Sequence, residues 1–136
     1  IANSIKKLRI KIDLILTSPI LSCKQTGEII NDLFNRRIPL IICNDLKPEG
    51  KFLDFYNKIS KYKNTSSILI VGHEPYLSSM INDIISNNDT DRNYNKNTKN
   101  IILKKAGLSR IKITSTVPKL KGELRWLLTP RILKKI

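Results

Sequence analysis

Apolar runs alternate with longer amphipathic segments through the first two-thirds of the chain, and this alternation predicts strands and helices in turn. Residues 13–17, 39–42 and 68–71 are short runs built mainly of leucine, isoleucine and valine, as expected of buried strands. Between and after these runs, apolar residues recur at helical spacing. The pattern therefore predicts strand–helix units, and residues 1–10 add the last turns of another amphipathic helix.

Local signals indicate where the helix after the first strand begins and ends. Ser18 can cap it, and Pro19 suits its first position because a proline lacks the N–H that a first turn leaves unpaired. The helix should end near Asn35, before the extended residues that precede a proline. The residues expected on its buried face are Leu21, Ile29, Ile30, Leu33 and Phe34.

Two more helices follow from the same reasoning. Residues 51–62 place an apolar and aromatic stripe on one side, which core packing explains better than a cofactor does. The last predicted helix starts after Pro75 and fades near Ser86.

The C-terminal third predicts a more antiparallel arrangement. Residues 101–103 and 108–114 suit two strands joined through a turn at Gly107, and residues 122–128 suit a final strand. Together with the strand–helix units, this predicts one α/β domain over residues 1–136. The expected architecture is a three-layer α/β/α sandwich with a mixed, mostly parallel sheet.

Residues 87–100 form an asparagine-rich segment without periodicity, which predicts a flexible surface loop. Asp89 and Asp91 lie within it, but no further acidic or histidine ligand is close in sequence. A metal site normally needs more ligands than this pair supplies. We therefore expect no metal and no cofactor.

Charge narrows the class of partner. The chain of 136 residues carries 25 basic and 11 acidic side chains, a formal net charge of +14. Such a charge attracts polyanions, yet the basic residues are spread over every segment and do not alternate with aromatics, which does not favour a nucleic-acid partner. A basic surface equally suits an acidic, phosphorylated protein.

Other sequence features bear on location. The longest apolar runs are far shorter than the roughly 20 residues that span a bilayer, so we expect no membrane segment. Cys23 and Cys43 lack the spacing of a metal or redox motif, as expected of reduced thiols in a cytoplasm. No secretory signal is recognisable, and the chain begins with Ile1, so it looks truncated at its start.

The candidate chemistry centres on His73, the one histidine in the chain. It comes two residues after the predicted strand 68–71, and Pro75 prevents that strand from continuing. Ligands of open α/β sheets bind outside the carboxyl ends of the strands, which is where this side chain should lie. The plain alternative is a histidine that only caps or packs.

Four motifs, in order, resemble the histidine phosphatase superfamily, in particular its small phosphohistidine phosphatases of the SixA type. The resemblance extends over nearly the whole chain. The residues that carry the resemblance are Ser18-Pro19, Leu46-Lys47-Pro48-Glu49-Gly50, Gly72-His73-Glu74-Pro75 and Gly122-Glu123-Leu124-Arg125-Trp126-Leu127-Leu128-Thr129-Pro130.

The resemblance implies a phosphoglycerate mutase-like fold and a phosphohistidine protein phosphatase of phosphorelay signalling. In that family an Arg-His-Gly histidine at the end of the N-terminal strand attacks phosphorus, while a second histidine and two arginines hold the phosphoryl oxygens. His73 matches the second histidine and is the expected catalytic and phosphate-binding residue. Nothing here matches Arg-His-Gly, so the nucleophile is expected on a strand preceding Ile1, and this chain alone should be inactive.

The chain also departs from the family at Ser22, which stands where a phosphate-binding arginine belongs. A serine offers one neutral donor in place of a bidentate cation. Lys24 is a poor substitute because two positions along a helix turn its side chain about 200° away. Ser22 therefore remains the second candidate phosphate-binding residue.

The sequence lacks the residues that two other kinds of phosphate-binding site require. A cysteine-based phosphatase needs an arginine six residues after its cysteine, and those positions hold Ile29 and Glu49. A glycine-rich nucleotide loop ending in Gly-Lys is absent from the sequence as well.

Three functions remain open. The first is a phosphatase acting on the phosphohistidine domain of a signalling kinase. The second is a catalytically weak or inactive homologue that binds phosphoproteins, as Ser22 would allow. The third, a basic nucleic-acid-binding protein, rests on charge alone. The sequence does not indicate an oligomeric state.

Overall fold

The computed structural model describes residues 1–62, 64–86 and 101–136. Its centre is a parallel sheet of β1 (Leu14–Thr17), β2 (Leu40–Ile42) and β3 (Ile68–Val71), in the order β2-β1-β3. β1 is buried along its whole length because it has a strand on either side and a helical layer on either face. The expected mostly parallel α/β fold class is thus confirmed.

Five helices and one 3₁₀ turn surround the sheet in the described part of the chain. The 3₁₀ turn spans Asn44–Leu46. The helices are α1 (Ala2–Lys7), α2 (Leu21–Leu33), α3 (Phe52–Ser60), α4 (Tyr76–Ile85) and α5 (Pro130–Leu133).

The helices form two layers because successive strand residues point to opposite faces of a sheet. Leu14 and Leu16 of β1 pack with residues of α3 and α4, including Phe55 and Met80. Ile15, between them, belongs to a second core with residues of α1, α2 and α5. The α/β/α layering follows from this alternation.

An antiparallel pair, β4 (Leu108–Ser115) and β5 (Lys121–Leu128), completes the described strands. It forms a two-stranded sheet of its own, with irregularities in register after Arg110 and after Ile113. Leu108 and Leu128 share a core with Val71 of β3, so the hairpin packs against the parallel sheet.

The exposed face of α2 differs from the prediction. Leu21 and Ile29 are 67% and 59% exposed, while Cys23, Gly27 and Ile30 form the buried stripe. The helix begins at Leu21 rather than Pro19, and the Ser18 hydroxyl accepts a hydrogen bond from the Ile20 N–H instead of capping the first turn. Small residues on this stripe let α2 approach the sheet, where a Cβ on Gly27 would already lie 3.3 Å from Leu40.

The predicted strand 101–103 is not a strand. The Ile101 N–H donates to the Asn82 side chain and the Leu103 N–H donates to the Ser78 hydroxyl, so polar side chains of α4 hold this segment. At the following turn the positive φ of 62° belongs to Ala106, not to Gly107. Gly107 is needed for space instead, since a Cβ there would lie 2.9 Å from the Lys104 carbonyl oxygen.

One predicted segment cannot be compared with the structure, and one other prediction concerns membrane spans. The expected loop 87–100, with Asp89 and Asp91, lies outside the described residues. No helix in the described part of the chain has both the length and the apolar character to cross a bilayer.

Candidate functional site

The three parallel strands end at one edge of the sheet, and backbone hydrogen bonds tie together the segments that leave them. Thr17 pairs with Ile42 on one side and with Val71 on the other. The Ser18 N–H donates to the Val71 carbonyl at 2.9 Å, and the Cys43 N–H donates to the Thr17 carbonyl at 2.8 Å. The segments that lead to the predicted site residues therefore leave the sheet side by side, as parallel strands require.

His73 lies two residues beyond β3, in the turn that leads into α4. Its carbonyl accepts a hydrogen bond from the Leu77 N–H at 3.1 Å, which ties the turn to the start of the helix. The Glu74 carboxylate accepts from the Ser78 N–H at 3.0 Å and so satisfies another N-terminal donor of α4. These two hydrogen bonds thus fix the turn that carries His73 from β3 to α4.

The Nε2 atom of His73 is the distinctive polar atom of this region. It is buried from solvent and, within the described residues, has no hydrogen-bond partner. A buried polar atom left unpaired costs about 1–3 kcal/mol, so such atoms are rare and concentrate at sites that bind something. Nε2 is therefore the atom through which His73 could bind a ligand.

Tyr76 lies against His73, with ring centroids 6.2 Å apart. Its side chain is 6% exposed, and its hydroxyl donates to the Asp45 carbonyl oxygen at 2.8 Å. Burial, reinforced by the nearby charge of Asp45, raises the pKa of Tyr76 to about 12. The hydroxyl therefore remains a hydrogen-bond donor at any physiological pH.

The segment 46–50 turns back on itself after β2. The Gly50 N–H donates to the Lys47 carbonyl at 2.8 Å, and a Cβ on Gly50 would lie 2.2 Å from the Asp45 carbonyl oxygen. Only glycine fits that approach. The turn forms one wall of an open groove whose lining residues are Pro19, Ile20, Lys47, Pro48 and Glu49.

Ser22 lies in the first turn of α2 and is exposed. Within the described residues, no hydrogen bond joins Ser22 to His73. The neighbouring Cys23 is buried, and burial raises the pKa of its thiol despite the hydroxyls of Ser22 and Ser18 nearby. Cys23 is therefore a poor nucleophile.

Sequence reasoning missed two residues of this region. Lys47 faces the turn before Ser22 across the groove and, among the described side chains, makes no ion pair. Tyr76 links His73 to Asp45. Lys47 stands at an unspecified position of the Leu-x-Pro-x-Gly pattern at residues 46–50, and no sequence signal singled out Tyr76.

The fold is similar to that of three solved structures. The protein histidine phosphatase SixA in complex with tungstate has a TM-score of 0.76 and 18% identity, over 96% of this chain and 76% of that one. The alpha-ribazole phosphatase of Shigella flexneri has a TM-score of 0.68 and 16% identity, over 94% and 80%. A protein assigned as the phosphohistidine phosphatase SixA of Agrobacterium tumefaciens has a TM-score of 0.54 and 23% identity, over 61% and 53%.

No protein-family model matches the sequence, and no characterised protein matches it in sequence either. At these identities the structural likeness establishes the fold alone. The chain therefore has the fold of the histidine phosphatases, which confirms the fold that its motifs predict.

The arrangement can bind an oxyanion. A buried imidazole nitrogen, the exposed Ser22 hydroxyl and the Lys47 ammonium group all lie on segments that meet at one edge of the sheet. Neutral and cationic donors are the kinds of group that stabilise negative charge. In the part of the chain that the structure describes, no group of three histidine, cysteine, aspartate or glutamate residues could hold a metal ion.

Proposed function

We propose that residues 1–136 form one histidine-phosphatase-like domain that binds a phosphoryl group at His73. The observation that carries the proposal is the buried Nε2 atom, which lacks a partner within the described residues at the ligand-binding edge of the sheet. A phosphoryl oxygen would supply the missing hydrogen bond. The structural likeness to a SixA bound to tungstate, itself a tetrahedral oxyanion, supports this ligand class.

The reaction that fits this site is hydrolysis of phosphohistidine on a signalling protein, through a phosphohistidine intermediate on the enzyme. His73 would hold the phosphoryl group, and the attacking histidine would lie on a strand that precedes Ile1. Two features support that division: His73 is the one histidine of the chain, and β3 is an edge strand of the described parallel sheet. The free, buried thiols of Cys23 and Cys43 accord with a cytoplasmic protein.

A phosphoprotein-binding homologue with little turnover is the second candidate, and Ser22 is what favours it. The hydroxyl of an exposed serine replaces a bidentate cation with one neutral donor, which weakens stabilisation of a developing charge. Binding and catalysis differ in how much they depend on that cation.

The first experiment measures oxyanion binding. Tungstate is titrated into the chain with ¹³C,¹⁵N-labelled histidine, so that the single imidazole reports occupancy directly. We expect saturable shifts of the His73 ring resonances and loss of tungstate binding, measured by calorimetry, in His73→Gln. A wild-type chain whose imidazole ignores tungstate would refute the proposal.

The second experiment separates enzyme from binding module. A chain extended upstream of Ile1 should release phosphate from a phosphohistidine domain, whereas residues 1–136 should bind oxyanion without turnover. If residues 1–136 released phosphate and His73→Gln abolished the release, His73 would be the nucleophile and the assigned roles would be wrong. An extended chain that binds without turnover would favour the phosphoprotein-binding homologue.

A further inference from the structure

Tyr76 occupies a position between the oxyanion-binding imidazole and the segment that follows β2. On one side its ring lies 6.2 Å from the His73 ring, with an interplanar angle of 55°. On the other side its hydroxyl donates to the Asp45 carbonyl oxygen at 2.8 Å. One side chain therefore connects the turns that leave two different strands.

A second aromatic ring fixes Tyr76 laterally. Phe52, at the start of α3, meets it edge-on with centroids 5.1 Å apart and an interplanar angle of 78°. Edge-to-face pairs of this kind are favoured beyond the area they bury, so the ring is held on a second side. The hydroxyl bond to Asp45 and the Phe52 ring thus hold Tyr76 from two sides.

Within the described residues, few polar contacts hold His73, so what packs against its ring matters for its orientation. Its carbonyl is bonded to the Leu77 N–H, whereas its Nε2 atom has no partner within the described residues. A ring without a hydrogen bond at Nε2 is oriented by what packs against it. Tyr76 is the aromatic side chain that does so.

We infer that Tyr76 is a positioning residue that fixes the orientation of the His73 imidazole and couples it to the turn at Asp45. The inference rests on the proposed function, since a fixed Nε2 direction matters for an oxyanion ligand. The hydrogen bond from Tyr76 to Asp45 also predicts that a change in the 46–50 turn alters the orientation of the His73 ring through the Tyr76 hydroxyl. A purely structural tyrosine would stabilise the core without affecting the imidazole.

The test uses Tyr76→Phe, which keeps the ring and removes the bond to Asp45. Tyr56→Phe is the matched control, because Tyr56 is also buried and its hydroxyl also donates to a fold contact, the Asp83 carboxylate at 2.6 Å. We expect Tyr76→Phe to broaden or shift the His73 ring resonances without ligand and to raise the tungstate dissociation constant roughly three- to ten-fold, as loss of one hydrogen bond implies. Tyr56→Phe should change neither.

Two readouts keep the inference apart from the proposed function. Unchanged His73 resonances in ligand-free Tyr76→Phe would overturn the inference whatever tungstate does. If tungstate does not bind the wild type, the proposed function is refuted. If the His73 resonances nevertheless shift in ligand-free Tyr76→Phe, the positioning role stands. If Tyr76→Phe does not fold, Phe52→Leu removes the lateral contact instead and should shift His73 in the same way; no shift there would also overturn the inference.

Discussion

Replacing Gly50 by alanine should destabilise the protein by about 2–3 kcal/mol, near the upper end of the usual cost of overpacking. The new Cβ would lie 2.2 Å from the Asp45 carbonyl oxygen, 2.9 Å from its carbonyl carbon and 3.0 Å from the Lys47 carbonyl oxygen. All three are backbone atoms, so no rotamer change relieves the clash. Restoring van der Waals contact requires the backbone to move by roughly 1 Å.

That movement should also reach the site. The Asp45 carbonyl oxygen that the new Cβ displaces is the acceptor of the Tyr76 hydroxyl. A shift of about 1 Å from the present 2.8 Å exceeds hydrogen-bond distance. We therefore expect Gly50→Ala to lose stability and to disturb the His73 ring resonances together.

Gly27→Ala is the matched control, because it makes the same chemical change in the middle of α2. Its nearest contact would be the Leu40 Cδ1 atom at 3.3 Å, the end of a flexible side chain. Alanine is also favoured over glycine inside a helix by about 1 kcal/mol. Gly27→Ala should therefore cost much less stability than Gly50→Ala, because a side-chain methyl group and not the backbone has to give way.

Urea unfolding followed by circular dichroism measures both variants against the wild type. The reasoning is refuted if Gly50→Ala unfolds within about 0.5 kcal/mol of the wild type, the range of an ordinary surface change. It is also refuted if Gly27→Ala loses as much stability as Gly50→Ala, since the loss would then be a general property of added methyl groups.

Three further predictions concern Ser22, Lys47 and Asn82. In a chain that carries a nucleophilic histidine, Ser22→Arg should raise kcat/KM toward a phosphohistidine domain by about ten-fold, because a charge-assisted hydrogen bond exceeds a neutral one by roughly 1–1.5 kcal/mol. A wild type as fast as Ser22→Arg would show that another cation already binds the phosphoryl group. Lys47→Gln should raise the tungstate dissociation constant about three- to ten-fold, because a cation beside the anion is lost. Lys61→Gln, at an exposed position just after α3, should leave the constant unchanged, and equal constants for both variants and the wild type would show that Lys47 is not part of the site. Asn82→Ala should lower the free energy of unfolding in urea by about 1–3 kcal/mol, because the Asn82 side chain bonds both the backbone N–H and the carbonyl of Ile101. Asn57→Ala, at an exposed position, should lower it by less than about 0.5 kcal/mol. Similar losses in the two variants would contradict the role of Asn82.

Local sequence signals were sufficient for the parallel half of the fold. The runs that became β1, β2 and β3 are short, apolar and bounded by turn residues, which is the local pattern of a strand, although only β1 is buried along its whole length. The predicted position of His73 at a strand end was confirmed for the same reason, because Pro75 cannot extend a strand. The motifs also predicted the fold that the solved structures share.

Local signals failed where a residue's environment comes from distant parts of the chain. The sequence shows that α2 is amphipathic, but the sheet selects the stripe with Cys23 and Gly27, leaving Leu21 in solvent. Ile101 has the composition of a strand residue, yet it pairs with Asn82, 19 positions earlier, because α4 presents a polar side chain there. Periodicity carries no information about which partner is available.

The candidate site divides along the same line. The sequence by itself determined that one histidine follows a strand and that glycine ends the 46–50 turn, while the family resemblance predicts that Ser22 stands where an arginine belongs. Only the tertiary structure decided that Nε2 is buried without a partner within the described residues, that Lys47 faces the turn before Ser22, and that Tyr76 joins His73 to Asp45. The physical reason is that burial and hydrogen bonding depend on which segments the sheet brings to its carboxyl edge, and residues 31 positions apart, such as Asp45 and Tyr76, meet only once the strands have paired.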